Sequence, residues 1–293
     1  MDAARALELF RSASGAREAG ICPLLPTQSG KPPKTSSPLF GMKSVLVGIF
    51  PYDCGREEGE ICLYARGRDY HSVIMPRLEA AADALRAEFP GVRFLSGCDA
   101  SPLNEVRAAA LAGLGFFGDH GLFISRRFGS FVFIGTLACD AEFALSPAEP
   151  EGCSHCGACR RACPTGVLSG GDKRTECLSA ITQKKGELNA AEAALLQKCG
   201  TLWGCDACQL ACPHNRSAET DPLPEFTQDR ITHLPRSLRT ASDAEWEAFL
   251  AGRAFAWRGK EVLRRNLELL CFTKPAENDI LKVEFEDMGD RIR

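Results

Sequence analysis

Cys153, Cys156, Cys159 and Cys163 stand in CSHCGACRRACP, Cys205, Cys208 and Cys212 follow in GCDACQLACP, and Cys177 lies between the two runs. Thiolates at these intervals hold soft metals. In a CxxCxxCxxxCP run, three close cysteines wrap a loop around one iron-sulfur cubane and the fourth reaches across to a neighbouring cluster. Pro164 ends that geometry after Cys163. The second run keeps CxxCxxxCP but carries Leu202 where a leading cysteine would stand, so one thiolate must come from elsewhere, with Cys177 and Cys199 as candidates. The crossed rule gives one 4Fe-4S cluster to Cys153, Cys156, Cys159 and Cys212. It gives the other to Cys163, Cys205, Cys208 and Cys177, the last preferred because Cys199 lies too few residues before Cys205. The competing reading is one or two zinc sites with CxxC corners.

The elements that position these residues show in the hydrophobic pattern. A first helix is expected from about Ala3 to Glu18, then an irregular loop from Pro23 to Pro38, crowded with Pro, Gly, Ser, Thr and Lys. MKSVLVGIFPY reads as a buried strand of a mixed or parallel sheet. From Arg68 to Phe89 apolar residues recur at helical spacing until Pro90-Gly91 stops them, and VRFLSG is a further strand. CDASPLNEVRAAALAGLGFFGDHGLFI is a strand end, a turn and a helix, with Ser101 as the cap and Pro102 in the first turn. SFVFIGTLA is another strand. The alternation predicts an α+β fold, with an α/β-type sheet domain over residues 1–148 and a ferredoxin-like double-cluster domain over 149–216. Residues 217–293 are a loop and a short helical region, in which Ser242 and Glu245 form a capping-box pattern and a last helix covers Lys260 to Phe272.

Fifteen cysteines would suit disulfides in a secreted chain, but MDAARALELFRSASGAREAG lacks the apolar core of a signal peptide. A cytoplasmic location is expected. No run approaches the roughly 18 apolar residues of a membrane helix, so no membrane partner is expected. A hydrophobic content of 45% suffices for compact cores, and a net charge of -3 neither demands nor forbids nucleic acid. The cysteines left over, Cys22, Cys54, Cys62, Cys98, Cys139, Cys199 and Cys271, read as small buried thiols.

KSVLVGIFPY, YARGRDYH, CDASPLNE, AGLGFFGDHGLFI, GSFVFIGTL, ECLSAITQKKGEL and GCDACQLACPHN occur in that order over roughly residues 42 to 270. Together they resemble the epoxyqueuosine reductase family, cobalamin-dependent iron-sulfur enzymes of tRNA modification. The resemblance implies two 4Fe-4S clusters feeding electrons to cobalamin, with reduction of epoxyqueuosine to queuosine at the tRNA wobble position. It also implies a tRNA anticodon stem-loop and an unidentified low-potential electron donor as partners. Asp99 falls on the family's proton donor; otherwise it is a turn acceptor ahead of Ser101-Pro102. Tyr64, Arg66, Asp69, Tyr70 and His71 either line the cofactor or substrate cleft or form a solvated helix start, and His120 is open in the same way. His155 and His214 read as polar loop residues. Basic pairs at Arg160-Arg161, Lys173-Arg174, Lys184-Lys185 and Arg264-Arg265 would suit RNA, as would Trp203, Trp246 and Trp257, against a plainer reading as exposed charge and core aromatics.

The chain departs from the family in its short Pro-rich front, in Gly118-Asp119-His120 where a GK step is usual, and in ending soon after EVLRRNLELL, where longer members continue into HEAT-like repeats. The alternatives are a related corrinoid iron-sulfur reductase, as the resemblance to reductive dehalogenases permits, and a plain 4Fe-4S electron carrier.

Overall fold

The structure, a computed structural model, describes residues 1–24, 34–99, 101–147 and 152–272. The first helix, α1 (Ala3–Ser14), starts where the Asp2 side chain accepts from Arg5 N–H and ends at Gly15, whose φ of 76° is left-handed. It stops short of the expected Glu18. The Ser14 hydroxyl donates to Phe10 O and accepts from Ala16 N–H, turning the chain into a strand the sequence pattern did not announce, β1 (Glu18–Pro23). Next come β2 (Ser44–Pro51), α2 (Tyr70–Glu88), β3 (Phe94–Gly97) and α3 (Glu105–Leu111). A small hairpin, β4 (Gly115–Phe117) with β5 (Phe123–Ser125), precedes β6 (Val132–Cys139).

The main sheet has the order β1-β2-β6-β3, and each of its pairings is antiparallel. This corrects the mixed or parallel pairing expected for β2. Every residue of β2 is buried because both faces are covered. Leu46 and Phe50 share a core with Phe10 of α1 and Ile74 and Leu78 of α2, while Val45, Val47 and Ile49 pack with Ala108 and Ala109 of α3. An antiparallel strand sandwiched this way shows the unbroken apolar run usual in parallel sheets. Gly48 makes room for α1, since a Cβ there would lie 2.8 Å from the Phe10 ring.

Ser101 does not cap α3. Its Oγ accepts from Leu103 N–H, and Asn104 is the cap instead, accepting from Arg107 N–H.

The cysteine segment is built of short helices: α4 (Ala158–Ala162), α5 (Lys173–Glu176), α6 (Leu178–Thr182), α7 (Ala190–Cys199) and α8 (Ala207–Leu210). Beyond it lie α9 (Pro224–Thr227), α10 (Asp243–Leu250) and α11 (Lys260–Phe272). The Ser242–Glu245 capping box forms as expected. These helices are more than an appendage, because Trp246, Leu250, Phe255, Leu263 and Leu267 share one core with Leu202, Trp203, Ile61 and Cys62. Asn266, fully buried, donates to both Thr182 O and Leu202 O across that junction. The expected boundary at residue 148, most of the Pro23–Pro38 loop and residues 273–293 lie outside the described residues. No helix among the described residues is long and apolar enough to cross a membrane.

Candidate active site and metal centres

Register brings chain ends together at one edge of the sheet. Pro51 pairs with Val132 and Gly97 with Thr136, so β2 and β3 both run toward the end of the sheet at which β6 begins. Tyr52, Cys98 and Asp99 therefore emerge beside Val132, Phe133 and Ile134 on the wall of a cavity of ≈ 1170 Å³. That exceeds the roughly 300–1,000 Å³ of ordinary ligand clefts. The start of α2 adds Tyr70, whose ring stacks on Phe133 at 4.2 Å and on His71 at 4.1 Å. The cysteine segment and the turn at Arg253–Arg258 complete the walls.

Asp99 has a φ of 60°, a left-handed backbone that costs a non-glycine residue of order 1–3 kcal/mol. Its carboxylate is 69% exposed and opens into the cavity. Tyr70 Oη donates to Asp99 Oδ2 at 2.7 Å, and His71 Nε2 lies 3.6 Å from the same oxygen. Asp69 caps α2 by accepting from His71 N–H, and its Oδ1 also lies 2.9 Å from His71 Nδ1. An Nδ1–H given to Asp69 leaves Nε2 facing Asp99. Burial, then the hydrogen bond to Asp99 and the charge of that carboxylate, pushes the Tyr70 phenol far up, so Tyr70 stays a donor.

Desolvation at this corner falls on a residue the sequence did not single out. Glu105, first in α3, lines the cavity, and burial pushes its carboxyl up to about 7. Its Oε2 accepts from Asp99 N–H at 2.8 Å, while Oε1 is buried without a partner. The signal was present as a glutamate six residues after Asp99, but helix-start glutamates are too common for spacing to flag it.

The remaining cleft candidates divide. Tyr64 lines the cavity, accepts from Trp203 Nε1–H at 3.0 Å and has its phenol pushed up by burial. Arg66 does not line it: the guanidinium is buried, spent on Ile61 O and Glu57 O at 2.7 Å each, with burial lowering its pKa. This corrects its placement as a cleft residue. His120 is 5% exposed and stands on the walls of both the large cavity and a second recess. Its Nδ1 accepts from Leu122 N–H, its Nε2 is buried without a partner, and burial lowers its pKa.

The eight thiols form two groups. Cys163, Cys177, Cys205 and Cys208 line the large cavity, and Cys153, Cys156, Cys159 and Cys212 line the second recess. Cys199 is on neither wall. Burial pushes the Cys205 and Cys208 thiols up to about 12, so their thiolates need a metal's positive charge to form. Asp119 pairs with His155 at 2.7 Å and with Arg160 at 3.5 Å, pinning the first cysteine loop. Asp119, Cys153 and the exposed His155 could together hold an ion, but they share Cys153 with the four-thiol recess. Of the leftover thiols, Cys22, Cys62, Cys98 and Cys139 are buried and Cys54, Cys199 and Cys271 partly so.

The basic pairs are mostly engaged within the fold. Arg161 donates to Cys156 O, Lys184 pairs with Glu192, Arg265 donates to Lys184 O, and the Arg264 guanidinium lies 5.7 Å from the Trp246 ring. Trp203 and Trp246 are fully buried core residues. Trp257 is 62% exposed on the cavity wall, with the Arg258 guanidinium 4.1 Å from its ring centroid. Lys173, Arg174 and Arg253 line the same cavity.

A family model described as "4Fe-4S double cluster binding domain" matches residues 152–215, and one described as "Epoxyqueuosine reductase QueG, DUF1730" matches residues 35–100. An epoxyqueuosine reductase of Gloeobacter violaceus is 32% identical over 249 residues, covering 78% of this chain and 76% of that protein. Another, of Listeria monocytogenes, is 33% identical over 220 residues, covering 72% of this chain and 56% of its own length. The chain thus spans little more than half of some relatives. Among solved structures, an epoxyqueuosine reductase with a tRNA-Tyr epoxyqueuosine-modified stem loop superposes with a TM-score of 0.79 over 91% of this chain and 80% of its own, at 24% identity.

Proposed function

Because the chain belongs to the epoxyqueuosine reductase family, we propose that it reduces epoxyqueuosine to queuosine at the wobble position of tRNA, with Asp99 as the proton donor. The observation that supports this reading best is that one cavity holds both Asp99 and the thiols of Cys163, Cys177, Cys205 and Cys208. Reducing chemistry and acid chemistry then meet in one place.

The donor sets fit the groups the family uses. Two sets of four thiols suit two 4Fe-4S clusters, Cys153, Cys156, Cys159 and Cys212 for the first and Cys163, Cys177, Cys205 and Cys208 for the second. The size of the large cavity and its aromatic wall of Tyr70 and Phe133 suit a corrin. When bound, the clusters supply low-potential electrons and cobalamin supplies a centre that gathers two of them. Tyr64, Asp69, His71 and His120 would border that cofactor or the substrate. Cys156, exposed, marks where an electron donor could approach the first set.

Converting the epoxide to an alkene takes two electrons and two protons and releases the oxygen as water. Asp99 Oδ2 is engaged by Tyr70, which leaves Oδ1 to deliver a proton to the departing oxygen. The Tyr70 hydroxyl stabilises the carboxylate that results, and His71, its Nδ1–H given to Asp69, would restore the acid for the second proton only as the imidazolium, which carries a proton on the Nε2 that faces Asp99. On the cavity wall, Lys173, Arg174 and Arg258 suit phosphates and Trp257 suits a stacked base, while the modified base enters the cavity.

The test is nucleoside mass spectrometry of an epoxyqueuosine-containing tRNA stem-loop incubated anaerobically with the reconstituted chain, cobalamin and a low-potential reductant. Queuosine should appear. If chain holding about eight iron atoms and cobalamin leaves epoxyqueuosine unchanged, the reading fails.

A further inference from the structure

We infer that Glu105 is the positioning residue of this site, its carboxylate fixing the Asp99-bearing turn through the Asp99 amide. The inference rests on the reading of Asp99 as proton donor for its meaning, though not for its geometry. Asp99 needs an anchor, because its side chain is 69% exposed and its backbone sits at a φ of 60°. Such a conformation persists only where the surroundings over-determine it.

The anchors seen differ in kind. Tyr70 and His71 hold the carboxylate, the group that must change its proton during the reaction. Ser101 N–H donates to Asp99 O at 2.8 Å, a bond within the turn that moves with it. Glu105 Oε2, 2.8 Å from Asp99 N, ties the Asp99 backbone to a separate rigid element. That element is α3, capped by Asn104 and fixed to the sheet by the buried Ala108 and Ala109.

Glu105 spends only one oxygen on this bond. Oε1 is buried with no partner, so the carboxyl's desolvation is uncompensated on that side and its burial raises its pKa. A glutamate kept only to favour the helix N-terminus would stay in water. Here it is turned inward onto the neighbour of the reacting acid.

Amide hydrogen exchange with single-residue resolution on the full, cluster-loaded chain tests this. Glu105→Gln keeps an acceptor at the same reach; Glu105→Asp keeps the charge at the helix start but withdraws it by one methylene. The Asp99 amide should exchange roughly 10- to 100-fold faster in Glu105→Asp, the loss expected for one hydrogen bond to a charged group, and near the wild-type rate in Glu105→Gln. In turnover, Glu105→Asp should lower kcat with KM for the stem-loop unchanged, and Glu105→Gln should recover most of kcat. Equal Asp99 exchange in all three proteins overturns the inference, as does a Glu105→Gln variant exchanging as fast as Glu105→Asp. Wild-type protein that exchanges slowly at Asp99 yet turns over no epoxyqueuosine would sink the functional reading and leave the anchor standing.

Discussion

Tyr70 Oη lies 2.7 Å from Asp99 Oδ2, a bond between the first residue of α2 and the residue two beyond the end of β3. It joins two elements the chain keeps 29 residues apart. The Tyr70 ring is itself held flat against Phe133, so the hydroxyl has little freedom to leave Asp99. Tyr70→Phe should keep that stacking and both cofactors but lower kcat by roughly 10-fold, the worth of one hydrogen bond to a charged group. Steady-state kinetics with iron and cobalamin content checked will decide it. Unchanged kcat would separate the phenol from the proton step.

Asp99→Asn preserves the size of the side chain and an acceptor for Tyr70 while removing the acid. It should bind both cofactors and lose turnover by a factor of order 10²–10⁴. Loss of cobalamin binding instead would make Asp99 a structural residue.

Cys177 and Cys199 separate cleanly. Cys177 stands on the cavity wall with Cys163, Cys205 and Cys208, whereas Cys199 does not. Cys177→Ala should lose about half of the iron and Cys199→Ala should lose none, measured on anaerobically reconstituted protein. The reverse pattern would reassign the eighth ligand.

Glu105 gives stability a pH dependence with a definite sign. Its folded pKa is about 7 against an ordinary 4.5, so the folded state binds the extra proton. Its contribution is complete below about pH 4.5 and is lost as pH rises through about 7. Glu105→Gln cannot ionise, so its stability relative to wild type should grow by up to about 3 kcal/mol across that window and then level off. Denaturant unfolding of both proteins at a series of pH values measures the difference. A flat difference would mean the carboxyl is solvated.

Trp257 is an exposed aromatic on a cavity wall that also carries Arg253 and Arg258. Trp257→Ala should weaken stem-loop binding by about 1–3 kcal/mol, the range for one base stacked on an aromatic ring. Iron, cobalamin and the melting temperature should stay as in wild type. Titration of a labelled stem-loop will show it, and unchanged affinity would place the RNA elsewhere.

The double-cluster segment was legible because cluster chemistry fixes local spacing: the cysteines of each run sit on one loop and one short helix, whereas Cys163, Cys177 and Cys212 had to be paired at a distance. β2 was legible as a strand, but its pairing was not, since burial on both faces produces the same apolar run in either direction. Arg66 illustrates the limit for polar residues. It sits two residues from Tyr64 in a motif that does border the cavity, yet its guanidinium turns to the Ile61 and Glu57 carbonyls, a choice set by tertiary packing. Glu105 was hidden for the converse reason, since nothing local distinguishes a helix-start glutamate, and Trp257 could be named but not separated from the core residues Trp203 and Trp246 until the fold placed it on the cavity wall.

In the proposed reading, the cavity beside Cys163, Cys177, Cys205 and Cys208 takes a corrin within reach of Asp99. Equilibrium binding of cobalamin to the cluster-loaded chain, followed by the absorption of the corrin ring, is the measurement that decides this. Saturable binding that survives Asp99→Asn is the predicted result. A chain that carries both clusters and retains no cobalamin would mean that the cavity is not a corrin site.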